Sequence, residues 1–137
     1  MDPITIEAHG TVLAYYFPHD LHAPNGTRFL NKQSEPLQVG LMEHPAGHHV
    51  RAHMHPAMER DIPTTSEFFF IQKGRARVTI YDNEWNEVAL QELVDGDSML
   101  ILGGGHEVEM LEETRMFEIK QGPYPGDEKA KIFRPDL

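Results

Sequence analysis

The sequence predicts an all-β domain, a sandwich or small barrel, and three observations carry that expectation. Short runs rich in Val, Ile, Phe, Tyr and Leu are broken at close intervals by turn residues, among them Asn25-Gly26, Lys73-Gly74, Asp82-Asn83, Asp95-Gly96-Asp97 and Gly122-Pro123. No window of helical length keeps the apolar period of about 3.6 residues that an amphipathic helix needs. The chain has 137 residues, which makes one domain, and many short strands in one domain must bury one face and manage their edges.

Each element follows from its local pattern. Residues 1–36 are the least regular and read as an N-terminal arm, although 11–17 within it is apolar enough for a strand. Strands follow at 37–43 and 49–55. In the second of these, period-two geometry sends His49, Arg51, His53 and His55 to one face and Val50, Ala52 and Met54 to the other. Residues 56–66 hold Pro56, Pro63 and the charged Glu59-Arg60-Asp61, so they read as a long surface loop that either borders a ligand entrance or is a tolerated insertion.

Thr64-Thr65-Ser66-Glu67 matches the capping box that opens a helix, yet only six residues separate Glu67 from Gly74. Phe68-Phe69-Phe70-Ile71 at that length favours a strand over 67–72. Residues 75–82 alternate Ala76, Val78 and Ile80 against Arg75, Arg77, Thr79 and Tyr81, and the latter set reads as a wet face. Strands are expected at 86–94, 98–102, 106–111 and 114–120, with a Gly- and Pro-rich tail over 121–137. Phe69, Ile71, Tyr81, Met110 and Met116 read as lining or core.

Twelve Lys and Arg stand against 22 Asp and Glu, a formal charge of −10. That charge repels phosphate backbones and anionic lipid surfaces, so neither nucleic acid nor membrane is an expected partner. There are no cysteines, which excludes thiolate zinc sites and cysteine nucleophiles together. The acidic N-terminus lacks the basic and apolar pattern of a secretory signal, and a cytoplasmic location is expected.

Histidine is the unusual count: five of nine, His44, His48, His49, His53 and His55, fall within twelve residues. On a strand, His-x-His places two imidazoles about 6–7 Å apart at Cα level, near enough to share one ion. A solvated edge strand is the bland alternative. Glu67 at the mouth of an apolar strand and His106 after Gly103-Gly104-Gly105 shift the balance, because three imidazoles and a carboxylate make a mixed N/O site suited to iron, manganese, nickel, cobalt or zinc. Arg51, Arg75, Arg77 and Lys120 are the cations that could meet an anionic ligand, and Arg51 shares a face with the histidines.

Gly47, five residues, His53-Met54-His55, then Glu67, six residues and Gly74 resemble the first motif of the cupins, with an enlarged gap of eleven residues between His55 and Glu67. The stretch from Gly96 to His106 resembles their second motif, but Leu102 stands near the proline position and Met110 replaces the asparagine. The resemblance covers about residues 37–120, and the Gly-Gly-His segment and the start of the tail are similar to small bacterial cupins found beside surface-polysaccharide genes. It implies a cupin-type small β-barrel (double-stranded β-helix, or jelly roll) with a core at 37–120, in a single domain over 1–137. It further implies one divalent transition metal held by His53, His55, Glu67 and His106.

The expected activity is that of a metal-dependent cupin acting on a small polar molecule, a sugar derivative or oxo/hydroxy acid, with Arg51 orienting its anionic group. Oxygenase, isomerase or decarboxylase, metal-free sugar isomerase or epimerase, and non-catalytic ligand binding all remain open. A homodimer is expected, because Phe68 and Phe70 point away from the face of Glu67, Phe69 and Ile71 and need cover from the arm, the opposite sheet or a second subunit.

Overall fold

A computed structural model describes residues 1–135. It is all-β, with ten strands and one short helix: β1 (Ile4–Ala8), β2 (Thr11–Phe17), β3 (Thr27–Phe29), β4 (Gly40–Met42), β5 (Glu67–Lys73), β6 (Arg75–Tyr81), β7 (Glu87–Val94), β8 (Ser98–Ile101), β9 (Gly105–Met110), β10 (Arg115–Lys120) and α1 (Asp127–Ala130). Three antiparallel sheets result, in the orders β1-β2-β8-β5-β10, β7-β6-β9 and β3-β4. Among the described residues no helix is long and apolar enough to cross a membrane.

The two larger sheets face each other across the main core. Phe69 and Ile71 of β5 and Met99 and Ile101 of β8 meet Ala76, Val78 and Ile80 of β6 and Leu93 of β7. Alternation sets this arrangement, since every second residue of these strands is apolar and inward. Ile71, Ile80, Leu93 and Met99 are fully buried, each contributing about 1.5–3 kcal/mol of transfer free energy. β5 is a strand with Glu67, Phe69 and Ile71 on one face, as its length and composition predict. The chain crosses between sheets at Gly74, where φ is +117° and a Cβ would stand 2.7 Å from the Thr114 Cα, so only glycine fits the corner.

A second core forms on the outer face of the five-stranded sheet. Tyr15, Phe17 and Leu100 pack there under Leu21, Leu30, Leu37, Val39 and Leu41, and Phe68 joins them. The cover for Phe68 therefore comes from the chain's own residues 21–41. The expected arm over 1–36 is also revised, because β1 and β2 are integral strands of the larger sheet. Ile4 and Ile6, alternating with Thr5 and Glu7, held the signal for β1.

No strand forms over 49–55. Residues 43–65 are exposed throughout except for half-buried Ile62, because no ladder partner lies beside them. Alternation makes a segment competent for a sheet, and only a neighbouring edge makes it a strand. Their absence leaves β9 and β10 as free edges on the same side of the sandwich, since β1 lies against β7 on the other side. Among the described residues the sandwich does not close into a barrel. The last two residues of the tail expected over 121–137 lie outside the described residues.

Candidate functional site

The open seam between β9 and β10 is where polar groups enter the sandwich. β5 and β10 pair so that Lys120 stands opposite Glu67 and Glu118 opposite Phe69. In antiparallel strands, opposed residues share a face, so Glu67, Glu118 and Lys120 all point between the sheets. From the other sheet His106, opposite Ile80 on β6, points back at them. The His106 Nε2 lies 3.0 Å from the Glu67 Oε2, and the imidazole meets the Phe69 ring edge-on with centroids 5.8 Å apart.

Lys120 completes the cluster. Its Nζ is 2.8 Å from a Glu118 oxygen and 3.5 Å from the Glu67 Oε1, and it lies 4.9 Å from the centre of the Tyr124 ring. The hydrogen bond from His106, with help from the charge on Lys120, holds the Glu67 carboxyl below its ordinary range against the opposing effect of burial. Glu67 is therefore an ionised carboxylate at neutral pH, with a side chain only 13% exposed. The hydrogen bond to Glu118 chiefly raises the affinity of Lys120 for its proton.

The glycines before His106 shape the seam, as the sequence suggested. At Gly104, φ is +68° and a Cβ would stand 2.2 Å from the Tyr81 carbonyl oxygen. At Gly105 a Cβ would meet the Trp85 ring at 2.5 Å. The turn thus lies directly on the end of β6 and delivers His106 to the cavity mouth.

These groups line a cavity of about 950 Å³ that also takes in Tyr81, Trp85 and Arg134. Its size lies near the upper end for small-molecule sites. The Tyr81 hydroxyl donates to Glu107 at 2.9 Å, which raises its pKa, and accepts from Arg134 at 3.1 Å. The guanidinium of Arg134 also lies over the Tyr81 ring. Lys120 was a candidate from sequence, whereas Glu118 and the Tyr81–Glu107–Arg134 chain were not. Alternation with Met116 and Lys120 marks Glu118 as inward; nothing periodic in the tail marks Arg134.

Of the four expected metal ligands the structure brings together two, Glu67 and His106. His53 and His55 sit on the exposed 43–65 segment, their rings edge to face with centroids 5.2 Å apart, and the His53 Nδ1 is 2.7 Å from the Arg51 carbonyl oxygen. Arg51 is exposed with them. Among the described residues no three His, Asp or Glu side chains gather where they could share a metal ion. Two donors do not fit a transition metal that expects at least three protein ligands. Arg75 and Arg77 lie on the wet face, near Glu92 and Glu109. Met110, expected inside, is half exposed on the free edge of β9. Of the 56–66 loop, Thr65 lines the cavity.

Comparison with family models, with curated proteins and with solved structures finds no match to this chain.

Proposed function

We propose that this protein is a jelly-roll, cupin-type binder of a small polar molecule, a sugar derivative or oxo/hydroxy acid, taken into the cavity between β5, β9 and β10. The observation that carries the reading is the contact between Glu67 and His106, one residue from each sheet, at the mouth of a cavity of that size. Lys120 is the cation that meets an anionic group of the ligand, exchanging its contact with Glu118 for one with the ligand. Phe69 and Met116 supply apolar wall, and Trp85 with Tyr81 forms the far side.

Glu67 and His106 are also half of the ligand set for a divalent transition metal, which His53 and His55 would complete if residues 49–55 lay along the free edge of β9. Only a site completed in that way would hold an ion, and the chemistry it would supply there is Lewis-acid polarisation of a carbonyl or a seat for a carboxylate. Two side chains of opposite character held 3.0 Å apart favour a second reading too. There His106, oriented by Glu67, moves a proton to or from a sugar-like ligand without a metal, as in an isomerase or epimerase.

Elemental analysis of protein purified without a histidine tag, before and after dialysis against cobalt, separates them. Stoichiometric metal that is lost in His53→Ala/His55→Ala but kept in His48→Ala/His49→Ala supports the metal reading. Absence of metal in the wild type, with ligand binding that depends on His106 and Glu67, supports the second. Ligand binding indifferent to Glu67, His106 and Lys120 refutes both.

A further inference from the structure

We infer that residues 130–134 are a strap drawn across the Tyr81 end of the cavity and latched by Arg134, and that the cavity opens to a ligand when this latch lets go. The strap rests on how the tail is held; that a ligand enters behind it rests on the binding reading above.

Five consecutive residues, Ala130 to Arg134, line the cavity that Glu67, His106 and Lys120 line from the strands. The chain reaches them from β10 past two holds. The Gln121 side chain accepts from the Ser66 N–H, and the Tyr124 ring lies beneath the Lys120 Nζ. Beyond Tyr124 the tail satisfies its own hydrogen bonds. α1 is closed by the N–H groups of Lys129, Ala130 and Lys131, which donate back to the Gly126 and Asp127 carbonyls, and the Lys131 Nζ lies 3.3 Å from the Asp127 carboxylate. Gly126 stands in open space, where an added Cβ would meet nothing within 4 Å. The helix and the strap can therefore swing about Gly126 as one piece with none of their own bonds broken.

From Pro125 to Pro135, the polar contacts with the rest of the chain among the described residues come down to Arg134. Its Nη1 donates to the Tyr81 hydroxyl at 3.1 Å, and its guanidinium carbon lies 5.3 Å from the centre of the Tyr81 ring. Apolar burial adds little, because Ile132 and Phe133 are 89% and 69% exposed. The other half of the latch is fixed. Tyr81 is buried on β6, its hydroxyl donates to Glu107, and the Trp85 ring meets it edge-on with centroids 5.7 Å apart.

That asymmetry makes the strap the part that moves. Segments with few buried contacts and a single fastener lie at the low end of a protein's local stability, from which lids are drawn. Opening also leaves no polar group stranded. Arg134 passes into water, while the Tyr81 hydroxyl keeps its bond to Glu107 and turns a free acceptor toward the cavity. A hydroxyl or N–H of the ligand can take the position that the guanidinium held, so ligand and strap compete for one oxygen.

The chain has no cysteine and one tryptophan, Trp85, in the cavity wall, so strap position is read by a bimane label on Phe133→Cys, whose emission a nearby tryptophan quenches. Dim emission is expected, brightening when Trp85→Phe is added and brightening also with Arg134→Gln. An exposed cation–π contact is equivalent to about a two- to fivefold change in the open-to-closed ratio, and loss of the latch should raise that ratio by about that much or more. Acrylamide quenching of Trp85 in the unlabelled protein should rise in Arg134→Gln and stay unchanged in Lys131→Gln, a control on the same segment whose ion-pair partner lies within the tail. Bimane equally bright with and without Trp85, emission unmoved by Arg134→Gln, or acrylamide access equal in Arg134→Gln and the wild type overturns the strap. None of these readouts uses a ligand. A strap upheld by them therefore stands even if ligand binding proves indifferent to Glu67, His106 and Lys120, and the binding reading survives a strap that fails.

Discussion

Gly104→Ala is the sharpest test of how the turn before His106 is built. At this position φ is +68°, and an added Cβ would stand 2.2 Å from the Tyr81 carbonyl oxygen and 3.3 Å from the Leu13 Cδ2. The left-handed conformation alone costs a residue with a Cβ about 1–2 kcal/mol. The loss of unfolded-state freedom offsets about 0.4–1 kcal/mol of that. The Tyr81 oxygen is backbone on a strand hydrogen-bonded on both sides, so relief needs a shift of β6 or of the turn, and overpacking of this kind costs about 1–3 kcal/mol. The net expectation is a loss of about 1–4.6 kcal/mol. For a chain of this length that corresponds to a fall in Tm of about 3–16 °C. Gly103→Ala is the control, since its φ is not positive and its nearest neighbour to a Cβ is the Leu13 Cδ2 at 3.9 Å. It should change stability by no more than about 0.5 kcal/mol. Urea unfolding followed by Trp85 fluorescence measures both. Equal effects at the two positions would show that the turn does not lie on the end of β6.

Three further outcomes are expected. Because the Glu67 carboxyl is held below its ordinary value of 4.5, its stabilising contribution is fully present above that pH and is lost as pH falls through the lowered folded value. Glu67→Gln should therefore flatten the acid limb of urea midpoints measured from pH 6 to 3, and an unchanged limb would refute the assignment. Tyr15 and Tyr16 have their pKa pushed from 10.0 to about 12, by burial first and then by hydrogen bonds to Glu35 and Asp97. The stability they give is present below pH 10 and fades as pH rises toward 12, so ultraviolet titration should show late phenols beyond that of Tyr81, one lost in Tyr15→Phe and one in Tyr16→Phe. Leu100→Ala, at a fully buried site beneath residues 21–41, should cost about 2–5 kcal/mol; a loss below 1 would mean that this segment does not pack there.

Much of the fold is legible in the residues themselves. Eight of the nine segments read as strands overlap a strand of the structure, and β2 matches its expected bounds, because alternation and turn chemistry are local properties. The inward set Glu67, Phe69 and Ile71 follows from counting by two. So does the value of the glycines before His106, which the close approaches to Tyr81 and Trp85 explain. The short β3 shows what local reading misses. Three residues, Thr27–Phe29, become a strand only because β4 lies beside them.

What the sequence alone determined, then, is the all-β class, most strand positions, the inward faces, and Glu67, His106 and Lys120 as groups able to meet at a site. Tertiary structure decided which edges find partners. Residues 49–55 have the alternation of a strand and a histidine spacing from which a metal site was expected, yet they lie in solvent, because a ladder needs a neighbour that no residue specifies by itself. The same holds for the ion pairs. The contact of His106 with Glu67 depends on the stacking of two sheets, and that of Lys120 with Glu67 on the register of β5 against β10. Those relations are long-range, and long-range relations are fixed by the mutual burial of whole faces.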